Sequence, residues 1–95
     1  MNIDLPSEFD EMTEERKCEL LRLIEEYFVP SDTINHKRSS YGLKHDVEHA
    51  SGFYSTNGEF KGAMLKCGYT SKDIDRVQNC HFNVSKKSPI FVNTK

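Results

Sequence analysis

One short segment of the chain carries a pattern that zinc enzymes use. The run His45-Asp46-Val47-Glu48-His49 matches H-x-x-E-H, in which two histidines one helical turn apart bind zinc and the glutamate acts as a base. Such enzymes also need a further ligand, a substrate cleft and a far larger scaffold than 95 residues. We therefore predict no catalytic residue, and we expect a protein that is not an enzyme.

A structural zinc site is a second hypothesis for the same histidines. The chain has three cysteines and four histidines, and a small domain gains much stability from a bound metal. The candidate ligands are His45, His49, Cys67, Cys80 and His81. No C-x-x-C or C-x-x-H pair is present, and buried cysteine is commonly a small hydrophobic residue. No cofactor is therefore expected to be required, and a zinc-stabilised interaction domain is kept as an alternative.

Polar residues in the second half of the chain suit contact with DNA. Asn57 and Lys61 fall near the start of a predicted helix, Lys66 falls further along it, and Lys86 and Lys87 lie in a later turn. Asparagine can pair with adenine, and lysines contact phosphates. The exposed face of the helix has no arginine, so the alternative is that these residues serve the helix start and the solvated surface.

The charges are divided unequally between the two parts of the chain. Residues 1–30 carry nine acidic and three basic side chains, whereas residues 31–95 carry six acidic and ten basic ones, for a net charge of −2. The candidate partner-binding residues are the glutamates Glu14, Glu15, Glu19, Glu25 and Glu26. An acidic helix would repel DNA and would suit a basic surface on a protein partner.

Hydrophobic spacing predicts the helix that carries these glutamates. Residues 1–12 are interpreted as a lead-in, and residues 13–29 as an acidic helix. Leu20 and Ile24 recur at helical spacing. The helix must end before Pro30, because the residue before a proline is driven out of the helical conformation.

A pair of helices resembling a helix-turn-helix is predicted over residues 39–69. The first helix closes at Gly52, since glycine readily adopts the left-handed conformation that ends helices. The second opens with Thr56 and Glu59, which match the T-x-x-E capping box, and closes at Gly68.

A short C-terminal β-hairpin is predicted over residues 79–93. Cys80, Phe82 and Val84 alternate with polar residues, which is typical of a half-buried strand. The predicted fold is therefore mainly α within the α+β class. It has three to four helices, a helix-turn-helix-like pair and a hairpin in one domain over residues 13–95.

Composition favours a soluble protein inside the cell. No apolar run approaches the roughly 20 residues that a membrane span needs, and the acidic start lacks the features of a signal peptide. We therefore expect no membrane partner, a cytoplasmic location and reduced cysteines.

Three stretches carry a resemblance to a known set of proteins: SSYGLKHDVEH, GFYSTNGEFKGAMLKCGY and NCHFNVSKKSP. They resemble small proteins carried by phages, prophages and integrated mobile elements of low-GC Gram-positive bacteria, over roughly residues 34–89. The resemblance implies a mobile-element origin in a bacterial host cell. It also implies structural roles for Tyr41, Leu43, His45, Asn57, Gly58, Phe60 and Asn79.

These observations together lead to a functional hypothesis with two alternatives. Small acidic phage proteins often act by occupying a host enzyme, so we expect a host protein that handles nucleic acid to be the partner. The specific hypothesis is an anti-CRISPR protein that inhibits a Cas9-type nuclease by preventing DNA loading. The alternatives are a winged helix-turn-helix regulator that binds DNA, and the zinc-stabilised interaction domain.

Overall fold

A computed structural model describes residues 3–72 and 74–92 of the chain. The described part contains a 3₁₀ helix (Pro6–Glu11) and four α-helices: α1 (Glu14–Tyr27), α2 (Ser40–Ser51), α3 (Asn57–Lys66) and α4 (Pro89–Val92). The first two residues of the predicted lead-in and the last residue of the predicted hairpin lie outside the described residues. Among the helices in the described part, none is long and apolar enough to cross a membrane.

Local signals account for the boundaries of α1. The Thr13 hydroxyl oxygen accepts a hydrogen bond of 3.2 Å from the Arg16 N–H, which satisfies a free donor at the helix start. The helix ends with Phe28 in an extended conformation, two residues before Pro30. Leu20 is fully buried on the inner face of α1, as the spacing predicts.

The start and end signals of the next two helices are also formed. Gly52 closes α2 with a φ of 82°, a left-handed value that suits glycine. At the start of α3 the Thr56 hydroxyl oxygen accepts a 3.0 Å bond from the Glu59 N–H, and the Glu59 carboxylate accepts a 3.0 Å bond from the Thr56 N–H. The predicted capping box is confirmed.

The predicted β-hairpin is wrong. The segment 80–84 buries alternate side chains as expected, but its pairing is one isolated antiparallel bridge between Pro30 and Val84. A proline has no N–H to donate, so it cannot serve as a regular strand residue there. Pro89 begins α4 where a second strand was predicted, because proline suits the first position of a helix.

The predicted α+β class and the winged helix-turn-helix are therefore wrong as well. Across residues 3–72 and 74–92 the protein is helical and contains no strand. The two helices of the predicted pair are present as α2 and α3, but a wing is not formed in this part of the chain. The face of α3 that would enter a DNA groove is covered by other parts of the fold.

Residues 3–12, which we refer to as the N-terminal segment, cover this face of α3. The 3₁₀ helix packs so closely on α3 that a Cβ atom added to Gly62 would lie 2.3 Å from the Pro6 carbonyl oxygen, and one added to Gly58 would lie 2.6 Å from the Leu5 oxygen. Phe9 is only 3% exposed. The described part of the predicted lead-in is therefore an integral layer of the fold, and the two glycines allow the close approach.

Candidate functional site

The residues of α3 that were predicted to read DNA lie inside the fold. Lys61 is fully buried and Asn57 is 4% exposed. The Lys61 ammonium donates three hydrogen bonds, to the carbonyl oxygens of Asp4 (2.9 Å), Val77 (2.8 Å) and Ile74 (3.3 Å). All three of its protons are used internally, so Lys61 cannot reach a nucleic acid in the folded protein.

Asn57 serves the same internal purpose. Its side-chain N–H group donates to the Gln78 carbonyl and, at 3.1 Å, to the Asn79 side chain. The Gln78 side chain in turn accepts a 2.8 Å bond from the Asp4 backbone N–H and donates a 2.8 Å bond to the Asp4 carboxylate. The polar residues of the T-N-G-E-F-K-G stretch therefore join the N-terminal segment and the 74–79 loop to α3.

The five candidate zinc ligands do not come together at one point, although His45 and His49 line the same pocket on α2 with Glu48. Among the described residues, no group of three or more His, Cys, Asp and Glu side chains is placed to hold a metal ion. His45 and His49 are exposed on α2, and His81 stands outside the core next to another histidine ring. Burial raises the pKa of the Cys67 thiol to about 11 and also raises the pKa of Cys80. Cys67 is half-buried and Cys80 is buried in the fold.

The remaining lysines of the DNA hypothesis are on the surface. Lys66 is exposed at the end of α3. Lys86 and Lys87 are exposed in the turn before α4, where they line a cleft together with Lys37. The structure therefore separates the predicted DNA-binding residues into a buried pair, a lone surface lysine and a lysine-lined cleft.

The five glutamates predicted to bind a partner are all accessible on α1. Glu14, Glu15, Glu25 and Glu26 are exposed, and Glu19 is partly exposed. Arg22 pairs with Glu19 at 2.7 Å and with Glu26 at 3.0 Å, and Lys17 pairs with Glu14 at 3.3 Å. The hydrogen bond from Arg22 lowers the pKa of Glu19. Five carboxylates less the two cations paired with them leave this acidic face with a charge of −3, while Arg16, the third cation of α1, pairs with Glu59 of α3.

Two exposed tyrosines lie beside the start of the acidic face. Tyr41 and Tyr54 are 50% and 55% exposed. The Lys44 ammonium lies between them, 5.3 Å from the centre of the Tyr41 ring and 4.9 Å from that of Tyr54. Arg16 of α1 donates a 3.1 Å hydrogen bond to the Tyr54 carbonyl. We refer to Tyr41, Lys44 and Tyr54 as the tyrosine patch.

The tyrosine patch was not predicted from the sequence. Tyr41 and Lys44 are one helical turn apart, which places them on the same face of α2. Tyr54 comes from the link between α2 and α3, so only the fold brings it against the lysine. Attraction between an ammonium and aromatic faces holds such rings in place.

Comparison of the chain with protein-family models, with curated proteins and with solved structures gave no match. The resemblance to mobile-element proteins therefore stays a prediction. The acidic face and the tyrosine patch are the features on which a functional proposal can rest.

Proposed function

We propose that this protein is a non-enzymatic binding protein that occupies a basic, nucleic-acid-binding surface of a host protein. The observation that carries the proposal is the acidic face of α1, with its charge of −3, next to two exposed tyrosines. Complementary charge speeds association and selects the partner. Tyrosine is among the residues that contribute most to binding energy at interfaces.

The arrangement of charges indicates which carboxylates a partner would meet first. In the described residues, Glu15 and Glu25 have no ion-pair partner, whereas Glu19 and Glu26 share Arg22. Exposed ion pairs of this kind contribute little to stability, so a lysine or arginine of the partner can replace Arg22 at small cost. Glu15 and Glu25 require no such exchange.

The tyrosine patch supplies the apolar part of the same interface. Interfaces commonly combine a desolvated centre rich in aromatic residues with a charged rim. Lys44 is only 5% exposed, so the tyrosine rings, rather than its charge, meet the partner. Arg16 links α1 to the carbonyl of Tyr54, which keeps the patch and the start of the acidic face side by side.

The specific partner in this proposal is a Cas9-type nuclease. Such enzymes hold the guide and target strands in a positively charged channel, which is the kind of surface that an acidic face can occupy. Docking of α1 there would prevent DNA loading in two ways, by pairing with the positive charges of the channel and by filling the space that DNA needs. The resemblance to mobile-element proteins supports this choice, because a phage gains from disabling a nuclease of its host.

A charge-reversal pair tests the proposal. Glu15→Lys with Glu25→Lys is compared with Asp32→Lys and Asp75→Lys, which change the net charge equally at exposed positions outside α1. The assays are binding to a purified, guide-loaded Cas9-type nuclease and inhibition of its DNA cleavage. We expect at least a tenfold loss of binding for the α1 pair, and a much smaller loss for the control pair.

Two further measurements sharpen the result. Tyr54→Ala is expected to weaken binding without changing its salt dependence, since the patch contributes no exposed charge. Affinity capture from a bacterial extract extends the test to other nucleic-acid-binding proteins. Equal loss for both charge-reversal pairs would refute the role of the acidic face, and wild-type protein that does not bind the nuclease would refute the choice of partner.

A further inference from the structure

A cleft of the opposite charge lies between residues 31–37 and 84–87. Its volume is about 440 Å³, with Lys37 on one wall and Lys86 and Lys87 on the other. No carboxylate is among the described residues that line it. None of the three lysines forms an ion pair within the described residues. We refer to this surface as the basic cleft.

The two walls of the basic cleft are joined by hydrogen bonds. Three connect the backbones: Ser31 N–H to the Asn83 oxygen (2.8 Å), Asn35 N–H to the Phe82 oxygen (2.9 Å), and Ser85 N–H to the Val29 oxygen (2.8 Å). The Asn35 side chain adds a 3.1 Å bond to the Val84 carbonyl. The spacing of the walls is therefore set before any ligand arrives, which reduces the entropy lost on binding.

The turns that carry the lysines are held by side chains two residues earlier. The Asn35 side-chain oxygen accepts a 2.9 Å bond from the Lys37 N–H, and the Ser85 hydroxyl oxygen accepts a 3.0 Å bond from the Lys87 N–H. Asparagine and serine commonly form such local turns. The backbone at Lys37 and Lys87 is thus fixed on opposite walls of one cleft.

The cleft also offers a flat ring and an apolar surface. His36 lines it, with its ring centre 5.4 Å from that of His81. Ile34 and Val84 are also among the lining residues. A row of cations beside an aromatic ring is the combination with which proteins hold single-stranded nucleic acid, because the cations meet phosphates while a base stacks on the ring.

We propose that the basic cleft binds the phosphodiester backbone of a single-stranded nucleic acid. Lys37, Lys86 and Lys87 contact phosphates, and one base stacks on the His36 ring. A peptide made only of acidic residues, such as poly-glutamate, would match the charges but would have no aromatic ring to place on that of His36. The site is distinct from the acidic face of α1, so this inference goes beyond the proposed function and does not rest on it.

The salt dependence of binding tests the number of phosphate contacts. Fluorescence anisotropy with short labelled oligo(dT) and oligo(U) measures affinity for a DNA and an RNA strand. Three lysines on a single strand predict a slope of log affinity against log salt of about −2, which is a loss of about 20-fold between roughly 50 and 200 mM. A preference for oligo(U) or oligo(dT) identifies the source of the strand.

Matched variants locate the contacts. Lys37→Gln, Lys86→Gln and Lys87→Gln together are expected to abolish binding or flatten the slope. The control triple, Lys66→Gln, Lys72→Gln and Arg76→Gln, removes the same charge from exposed positions outside the cleft and is expected to bind like wild type. His36→Ala is expected to lower affinity while leaving the slope unchanged, because it removes stacking and no phosphate contact.

Several outcomes would overturn this assignment. They are absence of oligonucleotide binding by the wild-type protein, equal loss in the two triple variants, and equally tight binding of a poly-glutamate peptide. Competition by inorganic phosphate as effective as that by an oligonucleotide at the same phosphate concentration would also overturn it, because a strand would then not be required.

Discussion

Replacing Gly62 with alanine tests directly whether the N-terminal segment belongs to the fold. In the interior of an unobstructed helix this change stabilises by about 1 kcal/mol, because glycine is a poor helix former. Here the added Cβ would lie 2.3 Å from the Pro6 oxygen and 2.4 Å from the Phe9 Cβ. Backbone on one side and a core residue on the other leave no flexible group that can move aside.

The rearrangement that Gly62→Ala requires sets the size of the loss in stability. The 3₁₀ helix has to shift by about 1 Å or more to restore ordinary contact distances near 3.5 Å, which uncovers part of Phe9. Overpacking of this kind costs about 1–3 kcal/mol, and loss of a buried phenylalanine contact costs up to about 3 kcal/mol. Against the helix gain of about 1 kcal/mol, we expect a net loss of about 2 kcal/mol.

A matched glycine serves as the control. Outside its own helix backbone and its chain neighbours, an alanine Cβ at Gly42 in α2 would come no closer than 3.4 Å to a described atom, and that atom is at the flexible end of Arg38. Thermal and urea unfolding followed by circular dichroism should show Gly42→Ala at or above wild-type stability and Gly62→Ala about 8–16 °C lower in Tm. If Gly62→Ala instead stabilised the protein as Gly42→Ala does, the N-terminal segment would not pack on α3.

Two further predictions concern buried polar groups. Lys61→Met leaves the carbonyls of Asp4, Ile74 and Val77 without their donor, so we expect urea unfolding to show a free energy of unfolding lower by about 3 kcal/mol. The control variant Lys66→Met, at the exposed end of α3, should stay within about 0.5 kcal/mol of wild type. Equal stability of the two variants would contradict this role of Lys61. Burial raises the pKa of Cys67 from 9.0 to about 11 and that of Tyr69 from 10.0 to about 12. Both groups are neutral when protonated, so the stability that they contribute is complete below pH 9. That stability is lost as the pH rises through 11 and 12. Urea unfolding across this range should show stability falling above pH 9, less steeply in Cys67→Ala, and a parallel fall in wild type and variant would refute the contribution of Cys67.

Helix boundaries could be predicted because their signals are local. The Thr56 and Glu59 side chains bond to each other's backbone across one turn, and Gly52 ends α2 through its own left-handed backbone conformation. The alternation in residues 80–84 correctly indicated which side chains are buried. The alternation could not indicate which segment pairs with this one. The backbone pairing is with Pro30, about fifty residues earlier, and a proline cannot continue a strand there.

The candidate sites were harder to predict because a side chain's charge does not reveal its exposure. Lys61 was expected to face solvent, yet its buried position depends on carbonyls from two segments, near Asp4 and Val77, that are distant in sequence. The basic cleft has the same origin, since Lys37 and Lys87 meet only when two distant segments pair. The acidic face needed no such information, because its glutamates follow from helical spacing alone.

The packing of the N-terminal segment on α3 constrains how the protein can fold as it is synthesised. The 3₁₀ helix is made about fifty residues before the helix that covers it, and Val77, an acceptor of Lys61, is made later still. Because synthesis adds about 5–20 residues per second, roughly 3 seconds or more pass between the synthesis of Phe9 and that of the residues it packs against. The core around Phe9 therefore cannot be completed until most of the chain has been translated, and until then this segment has to be kept from other partners.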